Sequence, residues 1–381
     1  MVDQTHPVLT SFKLGDLELP NRLVVAAMTR CRADPAAGIP NDLHVEYYSA
    51  RASAGFILTE CASVSQESNA FPGAANLYND EQVVGWKRVV DAVHAKGGRI
   101  FAQIYHGGRA VHPDMIGGGV TYSSSAIAIN GTVHTQNGRV PHAVPKEASA
   151  EDIKKVLNDF KRSAELAKQA GFDGIEIHGA NGYLVDEFLR DSVNKRTDDY
   201  GGSIENRARL LVEILEQVKT VYPADRVGVK LSPFSSYNDI QDSDPIALYT
   251  HVVHAIGSIG FVEISELFSF DATNAELQSK FFANLEHQSI RPYLKPRFQG
   301  LAFISNGGYD LQKSNDVISS GESDLVSYAQ LYLTNNDLPE KFAAGTPLNG
   351  LHNVKEMSKL WSVYFYGSTG EGYTDLSVYE P

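Results

Sequence analysis

The sequence predicts an α/β protein in which eight parallel strands close into a (β/α)8 (TIM) barrel. Short runs rich in β-branched and aromatic residues alternate with longer helical patterns, and no composition shift marks a second domain. We therefore expect a single domain over residues 1–381. The strands are predicted at 23–27, 56–59, 100–105, 174–178, 227–232, 261–265, 301–305 and 324–327.

The segment before the fourth strand shows the helical pattern clearly. Ser149 and Asp152 form a capping-box variant, and apolar residues recur at helical spacing from Ile153 onward. Gly171 then stands where a helix-ending glycine belongs. Similar stripes at 80–97 and 205–222 precede the third and fifth strands, and this repeated order favours a closed parallel barrel.

Two insertions account for the length beyond the ~250 residues that such a barrel needs. Residues 111–146 are rich in Gly, Ser and Asn and are expected to form a cap or short hairpin over the barrel mouth. Residues 266–296 carry phenylalanines that either line a pocket or pack the loop down, namely Phe268, Phe270, Phe281 and Phe282. Loops at the carboxyl ends of barrel strands are where ligands bind.

Composition points to a small molecule as the main partner. The 33 basic and 46 acidic residues give a net charge of −13, which argues against nucleic acid or an anionic membrane. Cys31 and Cys61 are far apart and form neither a disulfide framework nor a zinc site, so no metal is expected. Without a signal-peptide pattern or an apolar run of ~18 residues, we expect a soluble cytoplasmic protein, monomeric or homodimeric.

A cluster of polar side chains follows the fourth predicted strand. His178 and Asn181 can donate hydrogen bonds to a carbonyl oxygen that becomes negative during reaction. Tyr183 is a phenol of pKa ~10 that can hand over a proton without titrating away at neutral pH. The alternative is structural, with His178 and Asn181 bonding a loop backbone and Tyr183 packing. The HxxN spacing lacks the further donors that a metal site requires.

Ordered motifs along nearly the whole chain carry a resemblance to a known family. They are LPNRLVVAAMTRCRA (19–33), YYSARASAGFILTECASVS, QIYHGGR, HGANGYLVDEFLRDSVNKRTDDYGGSIENR, VGVKLSP, NGGYD, LTNNDLPEKF and FYGSTGEGYTD. With them the chain resembles the old yellow enzymes, flavin-dependent ene-reductases that include the oxophytodienoate reductases. The resemblance implies noncovalent FMN at the carboxyl ends of the barrel strands, with NADPH or NADH as hydride donor. It also implies an enone-type substrate, whose carbonyl His178 and Asn181 bind and which Tyr183 protonates.

The resemblance further implies which residues contact the flavin near its reactive nitrogen. Thr29 matches the family threonine that hydrogen-bonds a flavin carbonyl, and Met28 precedes it. Ala27 stands where the family usually has proline, which is a mild change. Cys61 occupies a small-residue position, and without a nearby resolving cysteine it is expected to be a filler and not a redox thiol.

Other matches concern the ring edge and the pocket wall. Gln103 matches the glutamine that reads the polar pyrimidine edge of the flavin, and Lys230 replaces an arginine beside the edge that becomes negative on reduction. Lysine keeps the charge but loses the planar fork. Tyr78 and Tyr373 resemble pocket-wall tyrosines, with a core or surface position as the alternative.

The phosphate end departs most from the family pattern. Gly307 and Gly308 can bring backbone N–H groups to the phosphate, but Asn306 is atypical in this turn. Ala329 and Gln330 replace a Gly-Arg pair whose arginine grips the phosphate. Losing that charge-assisted bond costs about 1.5 to 3 kcal/mol, or roughly one to two decades of affinity.

The sequence therefore favours an FMN-dependent oxidoreductase that reduces the C=C bond of α,β-unsaturated carbonyl compounds with NAD(P)H by ping-pong hydride transfer. Two alternatives stay open. One is a degenerate barrel with weakened flavin binding that acts as a binding or interaction protein, which the altered phosphate end supports. The other is a flavin-dependent isomerase or oxidase acting on a biosynthetic intermediate through the same site.

Overall fold

The computed structural model describes residues 6–135, 137–266, 289–353, 364–365 and 367–380. The strands are β1 (Phe12–Leu14), β2 (Leu17–Leu19), β3 (Leu23–Val25), β4 (Phe56–Leu58), β5 (Ala62–Ser63), β6 (Ile100–Tyr105), β7 (Tyr122–Ser123), β8 (Thr132–Thr135), β9 (Gly138–Pro141), β10 (Lys146–Glu147), β11 (Gly174–Gly179), β12 (Val227–Leu231), β13 (Phe261–Ser265), β14 (Ala302–Asn306) and β15 (Leu325–Tyr328). The α-helices are α1 (Asp42–Ser49), α2 (Asp80–Ala95), α3 (Ala150–Ala170), α4 (Leu184–Leu189), α5 (Ile204–Lys219), α6 (Pro245–Ala255), α7 (Arg291–Leu294), α8 (Leu311–Ser319), α9 (Gln330–Thr334) and α10 (Leu338–Ala344).

Eight parallel strands form a closed barrel. Their order is β3-β4-β6-β11-β12-β13-β14-β15, and β15 pairs with β3 to complete the ring. These are the eight strands predicted from the sequence, with ends that differ by no more than two residues. The (β/α)8 prediction is therefore confirmed.

Helix α3 shows how local sequence delivers a strand to this barrel. The Ser149 side chain accepts from the Asp152 N–H, the Asp152 carboxylate accepts from the Ser149 N–H, and Gly171 ends the helix at φ +92°. The apolar face, which includes Ile153 and Phe160, is buried in the main core. The predicted caps are thus confirmed, and removing the Ser149 cap costs about 1 kcal/mol.

Aromatic side chains fill the amino-terminal end of the barrel. The rings of Phe56, Phe101 and Phe261 lie 5.0 to 5.7 Å apart, and the β1–β2 hairpin packs against the same cluster. A Cβ on Gly174 or Gly228 would meet the Phe101 or Phe261 ring at 2.2 Å, so only glycine fits there. This packing leaves the carboxyl-terminal mouth as the end where a ligand can enter.

The first insertion contains the expected hairpin. Strands β8 and β9 pair antiparallel, while β7 and β10 pair in parallel at its base. In the second insertion, Phe268, Phe270, Phe281 and Phe282 lie outside the described residues. None of the helices in the described ranges combines the length and apolar character needed to span a bilayer.

Candidate active site

A tight turn after β11 positions the predicted catalytic residues. Asn181 (φ +56°) and Gly182 (φ +70°) are both left-handed, a conformation that Asn tolerates and Gly adopts without cost. A Cβ on Gly182 would lie 2.7 Å from the Tyr237 carbonyl oxygen, so the turn also needs glycine for space. The chain thereby reverses, and Tyr183 becomes the residue that precedes α4.

The turn brings His178 and Tyr183 face to edge. Their ring centroids are 5.0 Å apart at an interplanar angle of 87°, and Tyr105 packs 5.4 Å from Tyr183. Each of the pair keeps only 6% of its surface exposed. A ligand entering the barrel mouth would therefore meet an imidazole and a phenol in a mostly dry setting.

The environment of His178 holds its ring neutral. Its Nδ1 accepts a hydrogen bond from the Ala180 N–H at 3.3 Å, which leaves the proton on Nε2. Burial, followed by the nearby Lys230 ammonium, lowers the pKa of His178 to about 3. At neutral pH the side chain is therefore an uncharged N–H donor.

Asn181 is fixed by its backbone and has an available side chain. Its N–H donates to Ser232 Oγ at 2.8 Å, and its carbonyl oxygen accepts from Asn238 Nδ2 at 3.0 Å. The side-chain amide is half-buried and has no hydrogen-bond partner among the residues that the structure describes. It can therefore donate to a ligand without giving up a structural bond.

Tyr183 is held in its protonated form. Burial, followed by the neighbouring Tyr237, raises the pKa of Tyr183 well above its usual value. Phe71 also packs edge-on against the ring at 6.3 Å. Our sequence reasoning missed Phe71, Tyr105 and Tyr237, and of these only Tyr105, at the end of a predicted strand, carried a usable signal.

Two predicted flavin-binding residues meet at one side of the mouth. Thr29 Oγ1 and Cys61 Sγ are 3.0 Å apart after the adjacent strands β3 and β4. Met28 is buried and Ala27 is half-buried just before them. Burial raises the pKa of Cys61 to about 12, so it stays a thiol, which agrees with the filler role expected for it.

Charged and amide side chains line the barrel interior below the mouth. Gln103 Nε2 donates to Glu176 Oε2 at 2.5 Å, and Lys230 Nζ donates to Glu263 Oε1 at 2.7 Å. One N–H of Gln103 is engaged in this bond, which leaves its amide oxygen as an acceptor and its second N–H as a donor. Glu176 and Glu263 were not predicted, although the alternation in GIEIH places Glu176 on the same strand face as His178.

The phosphate end of the mouth is open. The Asn306 side chain accepts from Ser265 Oγ at 3.2 Å and donates to Ser327 Oγ at 2.8 Å, so it ties three strands together. Gly308 is left-handed at φ +67°, and a Cβ there would meet nothing within 4 Å. Ala329 and the exposed Gln330 stand at the start of α9 and present no positive charge.

The two predicted pocket-wall tyrosines have different surroundings. Tyr373 is fully buried, stacks on Tyr47 at 4.1 Å, and lies against the guanidinium groups of Arg30 and Arg32. This packing favours the core alternative for Tyr373. Tyr78 is half-buried immediately before the cap of α2, and none of the described ring contacts links it to His178 or Tyr183.

The residues at the mouth fit the needs of FMN. The Gln103 amide oxygen can accept from a ring N–H, and buried Lys230 supplies a cation for the pyrimidine edge. The open turn at Gly308 leaves room for a phosphate against backbone N–H groups. The one expected group that is missing from these residues is the guanidinium at position 330, where this chain has Gln330.

Comparisons with known proteins identify the family of this chain. A model of the NADH:flavin oxidoreductase / NADH oxidase family matches residues 7–349. The chain is 36% identical over 376 residues to 12-oxophytodienoate reductase 1 of Oryza sativa subsp. japonica, covering 98% of this chain and 93% of the relative. Morphinone reductase in complex with tetrahydroNAD superposes with a TM-score of 0.86 at 32% identity, covering 97% of this chain and 96% of the other.

An old yellow enzyme homologue from Zymomonas mobilis also superposes, with a TM-score of 0.85 at 32% identity, covering 98% of this chain and 99% of that one. The family match and these identities extend over nearly the whole barrel and include both ends of its mouth. The resemblance seen in the motifs is thereby confirmed. The chain belongs to the NADH:flavin oxidoreductase / NADH oxidase family, which includes the old yellow enzymes, and is an FMN-dependent oxidoreductase.

Proposed function

We propose that this enzyme reduces the C=C bond of α,β-unsaturated aldehydes and ketones, with NAD(P)H as the hydride donor, and that His178, Asn181 and Tyr183 carry the chemistry. One observation supports this most directly. A neutral imidazole N–H, an unpaired amide and a protonated phenol stand on one seven-residue strand-to-helix turn, His178 to Leu184.

His178 and Asn181 bind the substrate carbonyl oxygen. Both are uncharged donors, so they hold the neutral ground state modestly and gain strength as negative charge develops on that oxygen. The Ala180 N–H donates to His178 Nδ1, and the Asn181 N–H donates to Ser232 Oγ. These bonds fix the two residues, which limits their reorganisation during the reaction. When bound, FMN would be held by Thr29, Gln103 and Lys230 and would supply the hydride chemistry between NAD(P)H and the substrate β-carbon.

Tyr183 supplies the proton that completes the reduction. Its hydroxyl proton goes to the carbon next to the carbonyl, and the phenolate then recovers a proton from solvent at the mouth. The raised pKa of Tyr183 keeps the acid form fully populated at neutral pH. It also makes the phenolate a strong base, so reprotonation is favourable.

The FMN site is proposed to follow the family pattern residue by residue. Thr29, Gln103 and Lys230 would hold the ring, with Ala27, Met28 and Cys61 beside it. The phosphate would lie against Asn306, Gly307, Gly308, Ala329 and Gln330. Tyr78 and Tyr373 remain pocket predictions, and the burial of Tyr373 favours its core alternative.

Isotope labelling tests the reaction directly. With 2-cyclohexen-1-one and NADPH deuterated at its transferable position, deuterium should appear on the β-carbon of the product, and in D2O with ordinary NADPH it should appear on the α-carbon. Product formed without nicotinamide consumption would favour the isomerase alternative. Failure to acquire a yellow flavin band in excess FMN would favour the degenerate barrel.

We also propose a cytoplasmic enzyme that is a monomer or homodimer. The net charge of −13 and two buried, unpaired cysteines support a reducing, aqueous setting. Cell fractionation and sedimentation of the holoenzyme test these two points, and a membrane-bound fraction or a larger assembly would contradict them.

A further inference from the structure

A buried cluster of charges lies inside the barrel beneath the candidate site. It consists of Glu176 on β11, Lys230 on β12 and Glu263 on β13, which we call the Glu–Lys–Glu cluster. Both glutamates are 0% exposed and the lysine is 7% exposed. Charges this deeply buried must be compensated by partners, because water cannot solvate them.

Each carboxyl of the cluster has one satisfied and one unsatisfied oxygen. Glu263 Oε1 accepts from Lys230 Nζ at 2.7 Å and from Ser327 Oγ at 2.9 Å, and Glu176 Oε2 accepts from Gln103 Nε2 at 2.5 Å. Glu176 Oε1 and Glu263 Oε2 are buried without a partner among the described residues. An orphaned oxygen of this kind costs about 1 to 3 kcal/mol.

The two carboxyls lie on the strands that flank β12, and Glu263 is a close neighbour of Glu176. Glu176 stands opposite Gly228 on β12, whereas Glu263 stands on β13 two residues beyond Phe261, the partner of Gly228. The Phe261 ring fills the space beside Gly228, and the Lys230 side chain lies against Glu263. Lys230, one inward position further along β12, is in register with Glu263.

Charge balance favours a proton in this cluster. Two ionised carboxyls and one ammonium would leave a net charge of −1 in the barrel interior, where like charges share a proton instead. Burial first, and then Glu263, raise the pKa of Glu176 well above its usual value. Burial lowers the pKa of Lys230, but Glu263 and Glu176 together more than offset it, so the pKa of Lys230 is raised. The other titratable neighbours, His178 and Cys61, are neutral at pH 7.

We propose that Glu176 and Glu263 share one proton through their orphaned oxygens next to the Lys230 ammonium, which makes the cluster neutral and sets the charge that the flavin ring experiences. Glu263 is in this view a positioning residue for the redox step. It cancels the Lys230 cation, so the negative charge on the reduced ring receives less stabilisation than an isolated cation would give. This consequence for the ring depends on the proposed FMN site, whereas the shared proton does not.

Infrared difference spectroscopy tests the proton itself. Wild type at pH 7 should show a protonated-carboxyl C=O band that both Glu176→Gln and Glu263→Gln abolish, since in either variant the remaining glutamate ionises against Lys230. Glu187→Gln is the matched control, because burial raises the pKa of Glu187 to about 8 and gives an independent band. Should Glu263→Gln keep the cluster band, Glu176 is protonated on its own and the sharing is refuted.

The reduction potential of bound FMN tests the charge. Each single variant removes the shared proton but keeps one carboxylate beside the Lys230 ammonium, so the cluster stays neutral. Each should therefore leave the reduction potential close to that of wild type. The double variant Glu176→Gln/Glu263→Gln leaves Lys230 uncompensated and should favour reduced flavin at least tenfold, equal to about 30 mV for a two-electron couple. Equal upward steps in both singles would show two ionised carboxylates and overturn the proposal.

The two measurements separate this inference from the proposed function. The infrared bands are recorded on the full chain with and without FMN, and FMN signals cancel in differences between wild type and variant. A chain that binds no FMN but loses the band in both single variants would reject the proposed function and retain the shared proton. An enzyme that binds FMN and reduces enone, but keeps the infrared band in Glu263→Gln, would retain the proposed function and reject the shared proton.

Discussion

The two ends of the barrel mouth are built in opposite ways. At the substrate end, His178, Asn181 and Tyr183 stand on one short turn whose backbone is bonded to the loop after β12. At the phosphate end, the turn at Gly308 is open and Gln330 is an exposed neutral side chain. In the proposed function, the reaction therefore depends on groups that are all present on one turn, whereas cofactor retention lacks the positive charge expected at position 330.

The difference teaches that catalysis and cofactor affinity can vary independently on this scaffold. Donors aimed at a developing charge must be placed to within a fraction of an ångström, so the substrate end tolerates little change. Phosphate binding is spread over backbone N–H groups and side chains, and losing one charge-assisted bond costs about 1.5 to 3 kcal/mol without abolishing binding. The predictions below test that independence.

The largest effect is expected from Tyr183→Phe. Removing the phenolic proton should slow reoxidation of the flavin by enone roughly 10²- to 10⁴-fold, since that is the range of general acid catalysis. Flavin reduction by NADPH should stay near the wild-type rate. Stopped-flow absorbance of the two half-reactions measures both. Tyr105→Phe, which removes the neighbouring hydroxyl 5.4 Å away between ring centroids, is the control and should leave enone reoxidation far less affected.

The second largest effect is expected from His178→Ala. Its kcat for enone reduction should be roughly 10²- to 10³-fold lower, which is the range seen when one oxyanion donor is lost. His178→Gln keeps an N–H donor and should recover part of that loss. Because the pKa of His178 is about 3, the wild-type rate should show no step from this imidazole between pH 5 and pH 8. A rate step near pH 6.5 that disappears in His178→Gln would mean that the ring titrates, and would contradict the neutral-donor assignment.

Local pattern was sufficient to predict the barrel, and it placed His178, Asn181 and Tyr183 together after β11. Strand ends and helix caps depend on neighbouring residues, as at Ser149 and Gly171, and HGANGY is itself a contiguous motif. The grouping of Glu176, Lys230 and Glu263 could not be read this way, because it depends on how three strands pair in the barrel. The stacking of Tyr373 on Tyr47 is equally long-range, so the sequence offered a core position for Tyr373 only as an alternative.

A smaller effect is expected at the phosphate end. Gln330→Arg should lower the Kd for FMN roughly 10- to 100-fold by restoring a charge-assisted bond. Fluorescence titration of FMN measures the change in Kd. The difference in Kd between Gln330→Arg and wild type should shrink as the salt concentration is raised. Gln312→Arg adds the same charge at an exposed position on α8 and is the matched control. An equal gain in both variants would indicate general electrostatic attraction, and no gain in Gln330→Arg would place the phosphate elsewhere.

The smallest effect concerns stability in acid, and it should arise at the substrate end. Burial lowers the pKa of both His178 and His106 to about 3, and the His106 carbonyl accepts from the Leu184 N–H beside the reactive turn. The unfolded chain binds protons at these imidazoles below their ordinary pKa of 6.5, so their contribution is complete above pH 6.5 and falls progressively towards pH 3.

At pH 5 the loss relative to pH 7 is about 2 kcal/mol for each imidazole. Urea unfolding at the two pH values should show this difference, and His106→Asn should lose about 2 kcal/mol less between them than wild type because one of the two titrating groups is gone. Lys313→Gln, near the Gly308 turn, provides the control at the phosphate end and should keep the wild-type pH dependence. Equal pH dependence in wild type and His106→Asn would mean that acid sensitivity originates elsewhere in the barrel.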